Sequence, residues 1–292
     1  MTKPTPSFWR QLMPAPFREP GPVVPVVRLY GAIGISSPLR PGLTYASVTG
    51  SLEKAFNTSG AVAVALSINS PGGSPVQSNL IFKRIRQLAE EKEIPVYAFA
   101  EDVAASGGYM LALAADEIYA DPSSIVGSIG VVSASFGFDK LIEKIGVERR
   151  VHTAGKSKSI LDPFQPEKAT DVRRLKEIQG DIHETFKAMV RERRKDHLPE
   201  KDGDLFTGAF WTGGGALELG LIDGIGDLRE ILTEKFGEKV KLKLVSPPRN
   251  LFRRALPISG IGAGNDIRLV EGWADELLGT LEARAIWTRF GL

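Results

Sequence analysis

The chain has 292 residues, 42% of them hydrophobic and 25% charged, with 37 basic side chains against 35 acidic ones. That length and make-up belong to a globular chain that buries its own core. Balanced charge, interleaved as in Arg191-Glu192-Arg193-Arg194-Lys195-Asp196, reads as a solvated helix face and excludes nucleic acid as the expected partner.

The first segment, 1–22, is a proline-broken arm with no apolar run of signal-peptide length; Phe8, Trp9 and Phe17 are its candidate contacts with a neighbour or a membrane surface. A main domain is expected over 23–246. Apolar runs predict strands over 23–31, 61–68, 95–100 and 117–120, and helical spacing predicts helices over 43–56, 76–91 and 107–115. Strands that are apolar throughout and alternate with helices predict an α/β fold, with a parallel sheet covered on both faces. Residues 126–138 read as a strand-rich apolar rim suited to substrate or subunit contacts. A long helix is expected over 169–195, with Leu175, Ile178, Ile182, Phe186 and Met189 on one face and a bend near Gly180. Another helix should follow Asp227, and 239–245 alternates like a strand. The last segment, 247–292, reads as a helical extension whose amphipathic stretch, 267–290, carries Trp273, Leu277, Leu278, Leu281 and Trp287.

Without cysteine there is no thiol nucleophile, redox pair or cysteine-bearing zinc site. His152, His183 and His197 stand apart without paired-ligand spacing, so neither a metal nor a cofactor is expected, and acid–base work falls to Lys, Asp, Glu or Tyr. Two turns between strand and helix could hold the chemistry. Asn69-Ser70-Pro71-Gly72-Gly73-Ser74 exposes backbone amides that suit a developing oxyanion, or simply turns the chain; it lacks the spacing of a phosphate loop. Ala104-Ala105-Ser106-Gly107-Gly108-Tyr109 places a hydroxyl among small residues at a helix start, which suits a nucleophile and equally a helix cap. A serine nucleophile needs a base, and Thr153-Ala154-Gly155-Lys156-Ser157-Lys158-Ser159 offers two lysines among small residues.

Five motifs in order, INSPGGS (68–74), DVAASGGYMLALAADEIYA (102–120), VGSIGVV (126–132), HTAGKSKS (152–159) and FTGAFWTGGGALELGLID (206–223), resemble the signal peptide peptidase SppA family of Ser/Lys peptidases. The likeness covers about 22–245 and is strongest to the short, single-repeat SohB-like members. It implies a ClpP/crotonase-like fold of repeated ββα units and hydrolysis of signal peptides or unfolded proteins through an acyl-enzyme. It also implies specific roles: Ser106 as nucleophile, Lys158 as general base with Lys156 as its decoy, Ser128 orienting the lysine, and Gly73 and Gly107 supplying oxyanion amides. Ser159 stands where the family often has an acidic residue. The resemblance further implies a homo-oligomer in which Lys158 of one subunit meets Ser106 of the next.

Two other readings share these residues: an acyl-CoA enzyme of crotonase type, and a non-catalytic scaffold that binds partners or membrane. With no signal peptide or spanning run legible, the chain is expected in the cytoplasm, with peripheral membrane contact at most.

Overall fold

The computed structural model describes residues 21–35, 42–199, 203–245, 281 and 284–292. Most of the arm expected over 1–22 and of the extension expected over 247–292 lies outside the described residues.

Three parallel strands form the centre: β1 (Val23–Tyr30), β2 (Val64–Ser70) and β3 (Val96–Ala105). Most of their side chains are buried on both faces, which is why the runs are nearly continuously apolar and not alternating; Arg28, Tyr30, Glu101 and Asp102 are the exposed exceptions. The far edge of β1 pairs in parallel with β8 (Lys241–Leu244). Along its other edge β3 carries two partners in succession: first β4 (Glu117–Ala120), then β5 (Ile125–Gly127). β4 continues in parallel to β7 (Gly224–Ile225), while β5 pairs antiparallel with β6 (Phe210–Thr212).

Two crossover helices cover one face. The first, α1 (Tyr45–Phe56), starts at a capping box formed by Thr44 and Ser47; the second, α2 (Pro75–Lys92), starts with Ser74 as cap and Pro75 in the first turn. Leu52, Phe56, Ile81 and Ile85 drive into a core with Leu29, Leu66 and Ile68. Burying each such side chain is worth about 1.5–3 kcal/mol. Directly after β3 comes α3 (Gly107–Ala112), whose six residues are all buried. The other face is covered by Ile231 and Leu232 of α7 (Leu228–Phe236), which pack on Val24, Val26, Tyr97 and Phe99. The α/β fold with a parallel sheet, predicted from the runs, is therefore present.

Between these lie α4 (Asp139–Lys144), α5 (Ala169–Arg194) and α6 (Gly213–Glu218). Four expectations need correction here. Helix α3 ends at Ala112 and not near 115; turns complete the segment. The rim at 126–138 is not strand-rich: beyond Gly127, which pairs with Phe210, no partner strand among the described residues continues the ladder, and the chain runs irregularly to α4. The stripe on α5 is only half used. Phe186, Met189 and Val190 are buried, Ile178 is exposed, and the helix continues through Gly180 without interruption.

The charge run on α5 is the fourth. Arg194 is only 3% exposed; it donates to both Asp223 carboxylate oxygens at 3.0 and 2.8 Å and to the Gly220 carbonyl at 2.9 Å. Arg193 donates to the carbonyls of Leu113 and Ala115 at 2.9 and 2.8 Å. These two arginines face the core because acceptors wait there, and only their neighbours are solvated.

At the C-terminus, 284–288 is helical. Trp287 and Phe290 pack against Val103, Ala105 and Ile125, so this end of the extension rests on its own domain. Among the described residues no helix is long and apolar enough to cross a membrane.

Candidate active site

The turns that follow β2 and β3 meet beside one pocket. Ser106 links β3 to α3 with φ +53° and ψ −121°, a region that costs a non-glycine residue of order 1–3 kcal/mol and persists only when the surroundings hold it. Its N–H donates to the Gly127 carbonyl at 2.8 Å, and its own carbonyl accepts from the Met110 N–H at 3.1 Å. The side chain makes no capping bond to α3. Ser106 thus stands at the N-cap position without capping through its side chain, and its hydroxyl is not committed to the helix.

The 70–74 turn packs against this elbow. Gly73 has φ +139°, and a Cβ there would stand 2.1 Å from the Ile33 carbonyl oxygen; a Cβ on Gly107 would stand 2.4 Å from Ser78 Oγ. Both positions need glycine, one for conformation and space and the other for space alone. Among the described residues the N–H groups of Gly73 and Gly107 donate to no protein acceptor, whereas the adjacent Ser74 N–H is taken up by Ile33 at 2.8 Å.

Ser106, Gly73 and Gly107 share a pocket of about 200 Å³ with Val76, Leu80, Met110, Val131, Ile182 and Phe186. The lining is mostly apolar. A larger hollow of about 540 Å³ lies on the opposite sheet face between Arg28, Glu101 and Arg229, and the Ser67 hydroxyl within it already donates to Glu101 at 2.6 Å. The smaller pocket is the one with an uncommitted hydroxyl and free amides.

Ser128 follows the Gly127 that holds Ser106. It is buried, has φ +53°, and donates its N–H to the Ala209 carbonyl at 2.7 Å. Lys158 stands apart. It lies with Lys156 on an exposed turn, beside Gly155, and it does not line the Ser106 pocket. That turn belongs to a projection at 131–168 in which α4 buries no side chain. The projection holds itself together: the Phe138 ring lies 5.6 Å from Phe164, and Arg149 pairs with Asp162 at 2.9 Å. The Phe164 N–H and then Arg149 hold the Asp162 carboxyl below its ordinary value.

Three residues support this region through contacts that the motifs do not reveal. His183 Nε2 lies 3.2 Å from the Ile129 carbonyl, tying α5 to the loop that carries Ser128. Its sequence signal was its place between Ile182 and Phe186, where a polar side chain beside an apolar stripe needs a partner. Fully buried Tyr109, on the turn after Ser106, donates to the Leu221 carbonyl at 2.7 Å, and burial pushes its hydroxyl well above the ordinary value. Arg193 completes the set by holding carbonyls just beyond α3.

Comparison with known proteins adds the family. Residues 88–243, just over half the chain, match the profile of Peptidase family S49. The chain is 57% identical over 290 residues to a protein of Brucella abortus (strain 2308) named Na(+)/H(+) antiporter NhaA, covering 98% of this chain and 39% of that protein. It is 37% identical over 231 residues to the chloroplastic serine protease SPPA of Arabidopsis thaliana, covering 74% of this chain and 32% of that one. The chain thus spans well under half the length of these relatives. A solved structure of a lysine mutant of the 1510-N membrane-bound stomatin-specific protease, in complex with a substrate peptide, is similar at 18% identity and a TM-score of 0.48. That likeness covers 78% of this chain and 93% of the other.

Proposed function

Because the chain belongs to peptidase family S49, we propose that it is a serine endopeptidase in which Ser106 is the nucleophile and Lys158 the general base. One observation carries this reading: a strained serine at a strand-to-helix turn, its hydroxyl uncapped, flanked by two unpaired amides at an apolar pocket.

In this mechanism Lys158 takes the proton from Ser106 Oγ as that oxygen attacks the scissile carbonyl. The Gly73 and Gly107 N–H groups hold the negative oxygen of the tetrahedral intermediate. Lys158 then gives its proton to the departing amine, leaving an acyl ester on Ser106. Water, deprotonated by Lys158, attacks the ester, and the carboxyl product leaves as Ser106 regains its proton. Ser128 orients the lysine.

Lys158 reaches Ser106 from a second copy of the chain. Two features support this: Lys158 does not line the pocket of its own subunit, and the projection that bears it exposes apolar side chains. Val132 is 70% and Phe136 79% exposed, with Leu141 and Ile145 also open, a surface better suited to a subunit contact than to water. The pocket lining selects an apolar side chain, which fits signal-peptide remnants and unfolded proteins as substrates.

The test is degradation of an unfolded protein by the wild type and by single variants, with a thioester assay alongside. Ser106→Ala and Lys158→Ala should each abolish peptide hydrolysis while Lys156→Ala retains it, and mixing the two inactive variants should restore part of the activity. Activity in Ser106→Ala rejects the nucleophile; thioester turnover without peptide hydrolysis favours the acyl-CoA alternative.

A further inference from the structure

The two faces of β3 near its end are supported differently. Ala104 points into the main core, but Val103 and Ala105 point the other way and belong to a separate small cluster. Among the described residues, the other members of that cluster are Ile125 of β5 and, from the end of the chain, Trp287 and Phe290. Val103 and Ala105 are nevertheless fully buried, and Phe290 is 9% exposed. The C-terminal segment is therefore the apolar cover on the back of the strand that ends at Ser106.

It touches the elbow by a second route. The Phe290 ring meets the Phe210 ring edge-on, with centroids 5.2 Å apart. Phe210 pairs in register with Gly127, whose carbonyl accepts the Ser106 N–H. The tail thus bears on the strand that ends at Ser106, through Val103 and Ala105, and on the β5–β6 ladder beside it, through Ile125 and Phe210. A non-glycine residue at φ +53° holds that conformation only while its surroundings fix it.

We propose that Phe290 and Trp287 are positioning residues, a buttress that keeps the Ser106 hydroxyl in its reactive placement from the far side of the sheet. The proposal rests on Ser106 being the nucleophile. It assigns the end of the chain a role in the rate of the chemical step, separate from binding of substrate in the pocket on the opposite face.

The experiment compares full-length wild type, Phe290→Ala, Phe290→Leu and Trp287→Ala. It measures the labelling rate of Ser106 by a fluorophosphonate, peptide kcat and KM, oligomeric state, and amide exchange. Phe290→Ala should slow labelling and lower kcat about tenfold or more, with KM little changed, since a small misplacement of a reacting atom is costly. Amide exchange should quicken at 103–106 and 125–128 but not in α2, and Phe290→Leu, which refills the space, should recover most of the rate. If Phe290→Ala fails to fold, Trp287→Ala, whose side chain is only partly buried, decides by the same readings. Labelling within twofold of wild type overturns the proposal. So does a slowed rate that comes with dissociation of the assembly or with faster exchange in α2, because the role is then structural. Absence of label on wild-type Ser106 would instead reject the nucleophile itself, a distinguishable failure.

Discussion

The N–H of Ser106 donates a 2.8 Å hydrogen bond to the carbonyl of Gly127, so the turn at Ser106 and the loop carrying Ser128 are one hydrogen-bonded unit. If Ser128 orients the lysine, Ser128→Ala should lower kcat by a factor of about 10² or more, part of the 10²–10⁴ that acid–base catalysis supplies. Thermal stability should change little, because only a hydroxyl is lost. Steady-state kinetics with a fluorogenic peptide checks this, and unchanged kcat would remove Ser128 from the mechanism.

Gly73→Ala should inactivate by displacement. The new Cβ would meet the Ile33 carbonyl oxygen at 2.1 Å in a backbone conformation with φ +139°, so the turn must move and carry its amide away from the oxyanion position. The expected loss in kcat is about 10²–10³, the worth of one oxyanion donor. Full activity with a folded variant would show that the Gly73 N–H does no catalytic work.

The buried pair of Arg194 and Asp223 predicts a stability effect far from the pocket. Asp223 also accepts the Ile118 N–H at 2.7 Å, so Asp223→Ala leaves a buried guanidinium without its counter-charge, held only by the Gly220 carbonyl, and an amide without its acceptor. Urea unfolding should show a loss of about 3–5 kcal/mol. A loss below about 1 kcal/mol, the worth of a surface pair, would contradict the buried assignment.

Much of this arrangement was legible in the sequence, and the parts that were not share a cause. The strands expected over 61–68 and 95–100 overlap Val64–Ser70 and Val96–Ala105 because strands buried on both faces are apolar through their centres, whereas exposed Glu101 and Asp102 hide the continuation of the second to Ala105. The Ser106 turn was legible because small residues and glycine at a strand-to-helix junction leave few conformations open. Arg194 was misread because its burial depends on Asp223, 29 residues away, and no local pattern reveals a distant acceptor. The rim after Gly127 was misread for a related reason: β-forming residues become a strand only when a neighbouring strand continues beside them. Ile178 keeps helical spacing yet faces outward, since a stripe records a face and not what covers it.

Tyr109 predicts an alkaline limit. Burial, the largest cause, raises its hydroxyl above the ordinary value, so the folded chain keeps a proton that the unfolded chain loses. Its contribution is complete below about pH 10 and declines as pH rises from there toward the folded value, by about 1.4 kcal/mol per pH unit. Tyr109→Phe should cost about 1–3 kcal/mol at neutral pH by stranding the Leu221 carbonyl. It should also flatten the alkaline decline relative to wild type. Parallel profiles for the two proteins would contradict the assignment.

The central claim is that Ser106 is the nucleophile, and covalent mapping tests it most directly. A fluorophosphonate should add one label per reactive site, and peptide mass spectrometry should find it on Ser106 in wild type and nowhere in Ser106→Ala. Label on another serine, or undiminished labelling of Ser106→Ala, would contradict the account.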